Sequence, residues 1–282
     1  MSVVHLDEKL TSIRIHYGIG SEHFVDLYLP KQQRQLNGLS PVIILIHGGY
    51  WKDNHDLNSY ATSMLIPELV AAGWSVWNIE YRRMDSVGAN IKAPWPSVFA
   101  DVASAVDSLR LFAEAYALDM HNISVIGHSA GGCLAMWAAS RRQIPVTSPL
   151  FASNPLLIHN AISVGGVLSL THPEDLSQPE QILRLMGGSA SDWPERYHSC
   201  DPAQLCDPSV RTLIIHGEKD ETVHVNQARR YFENAPKNYE LELWPDADHF
   251  SILPHEGKWN HHHWMFLKQK INTFLNHKSD VN

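Results

Sequence analysis

Only three of the 282 residues are cysteine, at positions 133, 200 and 206. So sparse and odd a set is no disulfide framework, and it suits a reducing compartment. Cys133 reads as a small core residue, and Cys200 and Cys206 as thiols. Basic residues are also short: 22 Lys and Arg stand against 30 Asp and Glu, a formal charge of −8. That balance argues against nucleic acid and against an anionic membrane as partners, because both are held by basic patches. No apolar run approaches membrane-spanning length, and Val42 to Ile46 is only strand-sized. The first residues include His5, Asp7, Glu8 and Lys9 and lack the apolar core of a signal peptide. A cytoplasmic protein is expected. There is no His-Glu-x-x-His and no paired Cys-x-x-Cys, so neither a metal site nor a cofactor is expected. The run His261-His262-His263 precedes an amphipathic stretch and reads as a solvated helix start.

What is present is ordinary for a soluble enzyme: 44% hydrophobic and 18% charged residues. The length suits one large α/β domain with a substantial core. Ile13 to Leu29 shows alternating, extended patterns, an antiparallel hairpin at a sheet edge. Pro41 to Ile46 is continuously apolar and β-branched, the mark of a strand buried on both faces. A helix is expected from Ser59 to Ala72, kinked by Pro67 and stopped by Gly73. Trp74 to Glu80 reads as a strand. Trp95-Pro96 opens a long helix with Val98, Val102, Ala105, Val106 and Leu109 on one stripe. Further strands are expected at Ala161 to Leu170, Thr212 to Ile215 and Tyr239 to Trp244, with helices at Val225 to Asn234 and within Trp259 to His277. Residues 171 to 207 break the rhythm with Pro173, Pro179, Gly187, Gly188, Pro194 and Pro202, and read as a small cap insertion. Strands alternating with helices predict a mostly parallel sheet covered on both faces, with functional residues at the carboxyl ends of strands.

One stretch organises the rest: Val125-Ile126-Gly127-His128-Ser129-Ala130-Gly131-Gly132. An apolar strand leads in, a helix-compatible run leaves, and Gly-x-Ser-x-Gly lies between. This is the pattern of a nucleophile elbow, a strained turn that pushes a serine hydroxyl out of the sheet near a helix N-terminus. Serine alone is a weak nucleophile at neutral pH and needs a base and an acid to orient it. The expected chain order is serine, acid, histidine. Asp220 follows the strand Thr212 to Ile215, within His216-Gly217-Glu218-Lys219-Asp220-Glu221. His249 follows the strand Tyr239 to Trp244, within Pro245-Asp246-Ala247-Asp248-His249-Phe250. Both are assigned, over Glu218, Glu221, Asp246, Asp248, His128, His216 and His224. A tetrahedral intermediate also needs main-chain donors. Ala130 is one, and Gly49 and Tyr50, with Gly48, are expected to supply the others from the loop His47-Gly48-Gly49-Tyr50-Trp51.

Together these motifs resemble the α/β-hydrolases. The His-Gly-Gly-x-Trp form resembles the kynurenine formamidases (arylformamidases) and their esterase relatives, whereas hormone-sensitive-lipase-like esterases usually carry a third glycine where Tyr50 stands. Glu80-Tyr81-Arg82-Arg83 and Trp95-Pro96-Ser97-Val98-Phe99-Ala100-Asp101-Val102 also resemble that group, and the likeness spans roughly residues 20 to 275. It implies a serine hydrolase with a Ser-Asp-His triad, acting on a small carboxylic ester or aryl formamide through an acyl-enzyme. Tyr50, Trp51, His128, Trp95 and Trp193 are candidates to line its pocket, and Glu80 with Arg82 reads as a structural pair. The alternatives are a prolyl-oligopeptidase-type peptidase, for which no propeller accompanies the chain, and a non-catalytic binding protein on the same fold. A homodimer stays open.

Overall fold

The computed structural model describes residues 10–31, 38–85, 93–233, 235–254 and 258–276. Eight strands form one sheet: β1 (Ile13–His16), β2 (Phe24–Tyr28), β3 (Ser40–Ile46), β4 (Ser75–Ile79), β5 (Leu118–His128), β6 (Asn160–Val164), β7 (Arg211–Gly217) and β8 (Tyr239–Trp244). Their order across the sheet is β1-β2-β4-β3-β5-β6-β7-β8. The pairs β1/β2 and β2/β4 are antiparallel, and all others are parallel. The helices are α1 (Ile66–Ala71), α2 (Ser97–Phe112), α3 (Ala130–Ala139), α4 (Glu180–Met186), α5 (Pro194–Cys200), α6 (Asn226–Glu233) and α7 (His261–Asn276).

The strand period of two sorts the apolar side chains into two layers. Along β3, Val42, Ile44 and Ile46 face a layer built with α2, α3 and α6, while Ile43 and Leu45 face one built with α1 and α7. The continuous apolar run of β3 is therefore a strand covered on both sides, as its composition requires. The edge hairpin is closed by Arg14, whose guanidinium donates twice to the buried Asp26 carboxylate at 2.8 Å.

Two expected elements and one expected pair differ. The helix over 59–72 is a 3-10 turn, Ala61–Leu65, followed by the short α1. Pro67 lies in the first turn of α1, where its missing N–H costs nothing, so it starts a helix rather than kinking one. The strand expected to reach Leu170 stops at Val164, because Gly165 turns with φ 52° and leads the chain under the site. Arg82 does not pair with Glu80. It grips Asp101 on α2 at 2.7 Å, and Glu80 instead meets His47 and Arg83, both at 3.2 Å. His277 and Asn234, expected at helix ends, lie outside the described residues.

Residues 171–207 carry α4, α5 and two short 3-10 turns. This segment is tied to the main layer by Trp137 Nε1 on α3, which donates to the Ser199 carbonyl at 2.9 Å, and is braced internally by Thr171, which donates to the buried Asp201 carboxylate. Among the described residues no helix is long and apolar enough to cross a membrane.

Candidate active site

Ser129 sits between the last residue of β5 and the first of α3, with φ 58° and ψ −125°, a backbone state that costs a non-glycine residue of the order of 1–3 kcal/mol. The flanking glycines make that turn physically possible. A Cβ on Gly127 would overlap the Gly131 carbonyl, and one on Gly131 would overlap the carbonyls of Ile46 and His47. The elbow and the loop after β3 are thus in main-chain contact. Gly48 repeats the pattern from the other side, since its Cβ would lie 2.6 Å from the His128 carbonyl oxygen.

At this turn the three residues expected from chain order converge. Ser129 Oγ is 3.0 Å from His249 Nε2, and His249 Nδ1 is 2.7 Å from Asp220 Oδ2. Asp220 Oδ1 accepts the main-chain N–H groups of Thr222 and Val223 at 2.9 and 2.8 Å. Burial opposes ionisation of Asp220, but the neighbouring His249 charge and hydrogen bonds from His216 and His249 outweigh it. They hold the carboxyl well below the usual carboxylate range. All three side chains are almost fully buried. Such a chain can carry the hydroxyl proton to the imidazole while a fixed carboxylate faces the ring's other nitrogen.

Three of the four rival carboxylates are engaged elsewhere. Asp248 caps its own turn through the N–H groups of Phe250 and Ser251, Asp246 pairs with Lys219, and Glu218 pairs with Arg229. His216 is not idle. Its Nε2 lies 2.8 Å from the Val223 carbonyl and 3.4 Å from Asp220 Oδ2, making it a second histidine on the same carboxylate. From the sequence His216 reads only as a competing base. Gly165 also borders the pair, with a φ of 52° and a position 3.4 Å from His249 Nδ1 and 3.5 Å from Asp220 Oδ2 for any added Cβ. A Gly-Gly pair directly after a strand was the available signal.

The loop expected to hold an oxyanion has positive φ at three consecutive residues, 104° at Gly49, where glycine takes it freely, and 52° at Tyr50 and 57° at Trp51, where it is strained. Tyr50 is locked by its hydroxyl, which donates to the Thr222 carbonyl at 2.8 Å and lies 3.0 Å from Ser177 Oγ. It thereby ties the loop to the segment after Asp220 and to the 171–207 insertion. Ala130 opens α3, so its N–H is one of the free first-turn donors of that helix.

None of the five pocket candidates is among the walls of the cleft at His249. Trp51 is fully buried in the core. His128 is 1% exposed, with Tyr60 Oη 2.9 Å from Nδ1 and the His249 carbonyl 3.1 Å from Nε2, so both ring nitrogens meet protein groups. Trp95 and Trp193 do come together, but around Arg196, whose guanidinium stacks 4.6 Å and 3.7 Å from the two rings. The cleft that opens onto His249 has a volume of about 630 Å³ and is walled by Lys219, Thr222, Phe250, Trp259 and Asn260. Trp259 was expected only as part of a helical stretch. A separate apolar cleft between α1 and α7 holds none of these residues. Among the described residues, no group of three His, Cys, Asp or Glu side chains is placed to hold a metal ion.

Comparison with known proteins gives a consistent picture. The BD-FAE family profile matches residues 25–234. The esterase LipQ of Mycobacterium tuberculosis is 27% identical over 223 residues, covering 77% of this chain and 51% of its own. The chain spans about half the length of the curated relatives it matches. Among solved structures, a truncated carbohydrate esterase from gut microbiota superposes with a TM-score of 0.73 at 23% identity, covering 95% of this chain and 97% of the other. Esterase 2 of Thermogutta terrifontis, with propionate bound, superposes with a TM-score of 0.71 at 19% identity, covering 94% and 93%. These superpositions establish the α/β-hydrolase fold.

Proposed function

Because the chain belongs to the BD-FAE family, we propose that it is a serine hydrolase of small carboxylic esters, working through Ser129, His249 and Asp220. The observation that carries this reading is the continuous chain of contacts, 3.0 Å and then 2.7 Å, from a strained serine to a buried carboxylate. Ser129 Oγ attacks the substrate carbonyl while His249 Nε2 takes its proton, and Asp220 holds the imidazole in the receptive tautomer. The charge on the carbonyl oxygen falls to the N–H of Ala130 and to N–H groups of Gly49 and Tyr50, with Gly48 shaping the approach. Collapse expels the alcohol, protonated by His249, and leaves an acyl-Ser129 ester. Water, deprotonated by the same imidazole, then releases the acid. The cleft at His249 has a volume in the range of small-molecule sites.

The finer reading is an aryl formamide as substrate. It is favoured by Tyr50 in place of a third glycine, and it replaces the alcohol by an arylamine and the acyl group by formyl. Residues 171–207 act as the cap, and Ser177 is its contact with the oxyanion loop. Two experiments test the proposal. Ser129→Ala is expected to abolish p-nitrophenyl acetate turnover while the protein stays folded, and a fluorophosphonate probe is expected to label the wild type at Ser129. Full activity in the alanine variant would remove the reading. Comparing rates on N-formylkynurenine and short-chain aryl esters decides between the two substrates.

A further inference from the structure

We infer that Tyr60 is a positioning residue that acts through His128 to hold the main chain of His249 in register with Ser129. The inference rests on the serine-hydrolase reading and adds to it a brace on the base. His128 Nε2 faces the His249 carbonyl oxygen at 3.1 Å. A carbonyl only accepts, so Nε2 carries the ring proton. The neutral ring then presents a lone pair at Nδ1, and Tyr60 Oη, 2.9 Å away, donates to it. One direction of donation therefore runs from Tyr60 O–H to His128, and from His128 N–H to the backbone of His249.

The placement of Tyr60 makes this chain a brace for the site. The phenol is buried, with its oxygen against the oxyanion loop: a Cβ on Gly48 would stand 2.6 Å from it. Its ring centroid is 5.7 Å from that of His128. The His128 and His249 rings are 4.7 Å apart between centroids, so a tilt of one is felt by the other. Asp220 fixes His249 at ring Nδ1, and His128 fixes it at its carbonyl. With both ends held, Nε2 is set on Ser129. Loss of the Tyr60 proton donor frees the His128 ring to turn and the His249 backbone to drift, and small misplacements of a reacting group cost a large fraction of rate.

The test is a double-mutant cycle with p-nitrophenyl acetate, with kcat expressed per fluorophosphonate-titrated site. Tyr60→Phe and His128→Asn are each expected to lower kcat by about 10- to 100-fold, with KM changed by less than about twofold. The double variant is expected to be no slower than the slower single, because both act along one chain. His128→Gln, whose amide can still donate toward the His249 carbonyl, is expected to recover most of the His128→Asn loss, which a purely structural role would not produce. An unchanged kcat per titrated site in Tyr60→Phe overturns the inference. So do losses that multiply in the double variant, or a glutamine variant as slow as the asparagine one. If the wild type neither turns over the ester nor takes the probe, the hydrolase reading fails and carries this one with it. Wild-type turnover that is indifferent to Tyr60→Phe removes the brace alone.

Discussion

Asp220→Asn removes one charge and adds one donor at the most enclosed point of the site, and the surrounding hydrogen bonds dictate how the amide must sit. Asp220 Oδ1 accepts two main-chain N–H groups, from Thr222 and Val223, while Oδ2 accepts from His249 Nδ1 at 2.7 Å and stands farther, at 3.4 Å, from His216 Nε2. An asparagine that turned its NH₂ toward the two N–H groups would set three donors against one another in a buried place, at about 1–3 kcal/mol for each unmet group. The amide therefore keeps its oxygen there and points its nitrogen at His249. His249 Nδ1 must then accept, so the ring proton moves to Nε2 and faces Ser129, where a lone pair is needed. Reaction requires the ring to return to its other tautomer against an amide donor and without the carboxylate to stabilise the imidazolium. We expect kcat on p-nitrophenyl acetate to fall by roughly 10³- to 10⁴-fold, about 4–5.5 kcal/mol of barrier. KM and thermal unfolding should stay close to wild type. An asparagine variant within tenfold of the wild-type kcat would refute this account of the acid's role.

Three other substitutions probe the contacts around the site. Burial works against ionised Glu80, but His47, Arg83 and the Leu57 N–H outweigh it and lower its pKa, so its stabilisation is fully present above the ordinary carboxylate range and is lost as pH falls through the lowered folded value. Glu80→Ala is expected to cost about 3 kcal/mol near neutrality and to flatten the acid limb of a urea-midpoint against pH curve; an unchanged limb would show that Glu80 carries none of it. Gly127→Ala drives a methyl group into the Gly131 carbonyl, which belongs to backbone and cannot swing away. It is expected to destabilise by about 3 kcal/mol in chemical denaturation, and a midpoint at the wild-type position would contradict the packing described. Tyr50→Phe leaves the ring and removes its bonds to Thr222 and Ser177. It is expected to lower kcat/KM on aryl esters by about tenfold with a stability loss near 1 kcal/mol, measured by steady-state kinetics and thermal melts.

The parts of the site legible in the sequence are those written by neighbouring residues. An apolar strand running into Gly-x-Ser-x-Gly can bend in few ways, and Asp220 and His249 could be assigned because each follows a buried strand in the expected order. What was not legible depends on contacts between distant segments. His216 precedes Asp220 by four residues, but only the turn between them brings its Nε2 to the same carboxylate. The apolar run after Ala161 looks like a longer strand, since periodicity does not separate a buried strand from a buried loop. Gly165 ends it with a φ of 52°, a left-handed backbone state that glycine adopts freely and that turns the chain out of the strand. Trp51, Trp95 and Trp193 were expected in the pocket because aromatic rings near a motif suggest a substrate surface. In the fold one fills core, and the other two sandwich Arg196.

The distribution of backbone strain supports the same location for the chemistry. Among the described residues, the non-glycine residues with positive φ are Tyr50, Trp51, Ala117 and Ser129. Three of these four belong to the elbow and the facing loop. Each such residue costs of the order of 1–3 kcal/mol and persists only where its surroundings over-determine it. Those surroundings can be named. Trp51 is buried in the larger apolar layer, its carbonyl accepts from Met84 N at 2.7 Å, and the Lys52 N–H closes a turn onto Gly49 at 2.9 Å. Ser129 is held through main-chain bonds to Val164 and Val167, and Tyr50 by its hydroxyl. A chain under no functional demand would relax such a turn with glycine at each point. Here side chains are retained at the strained positions: Ser129 presents its hydroxyl to an imidazole, and Tyr50 clamps the loop that faces it.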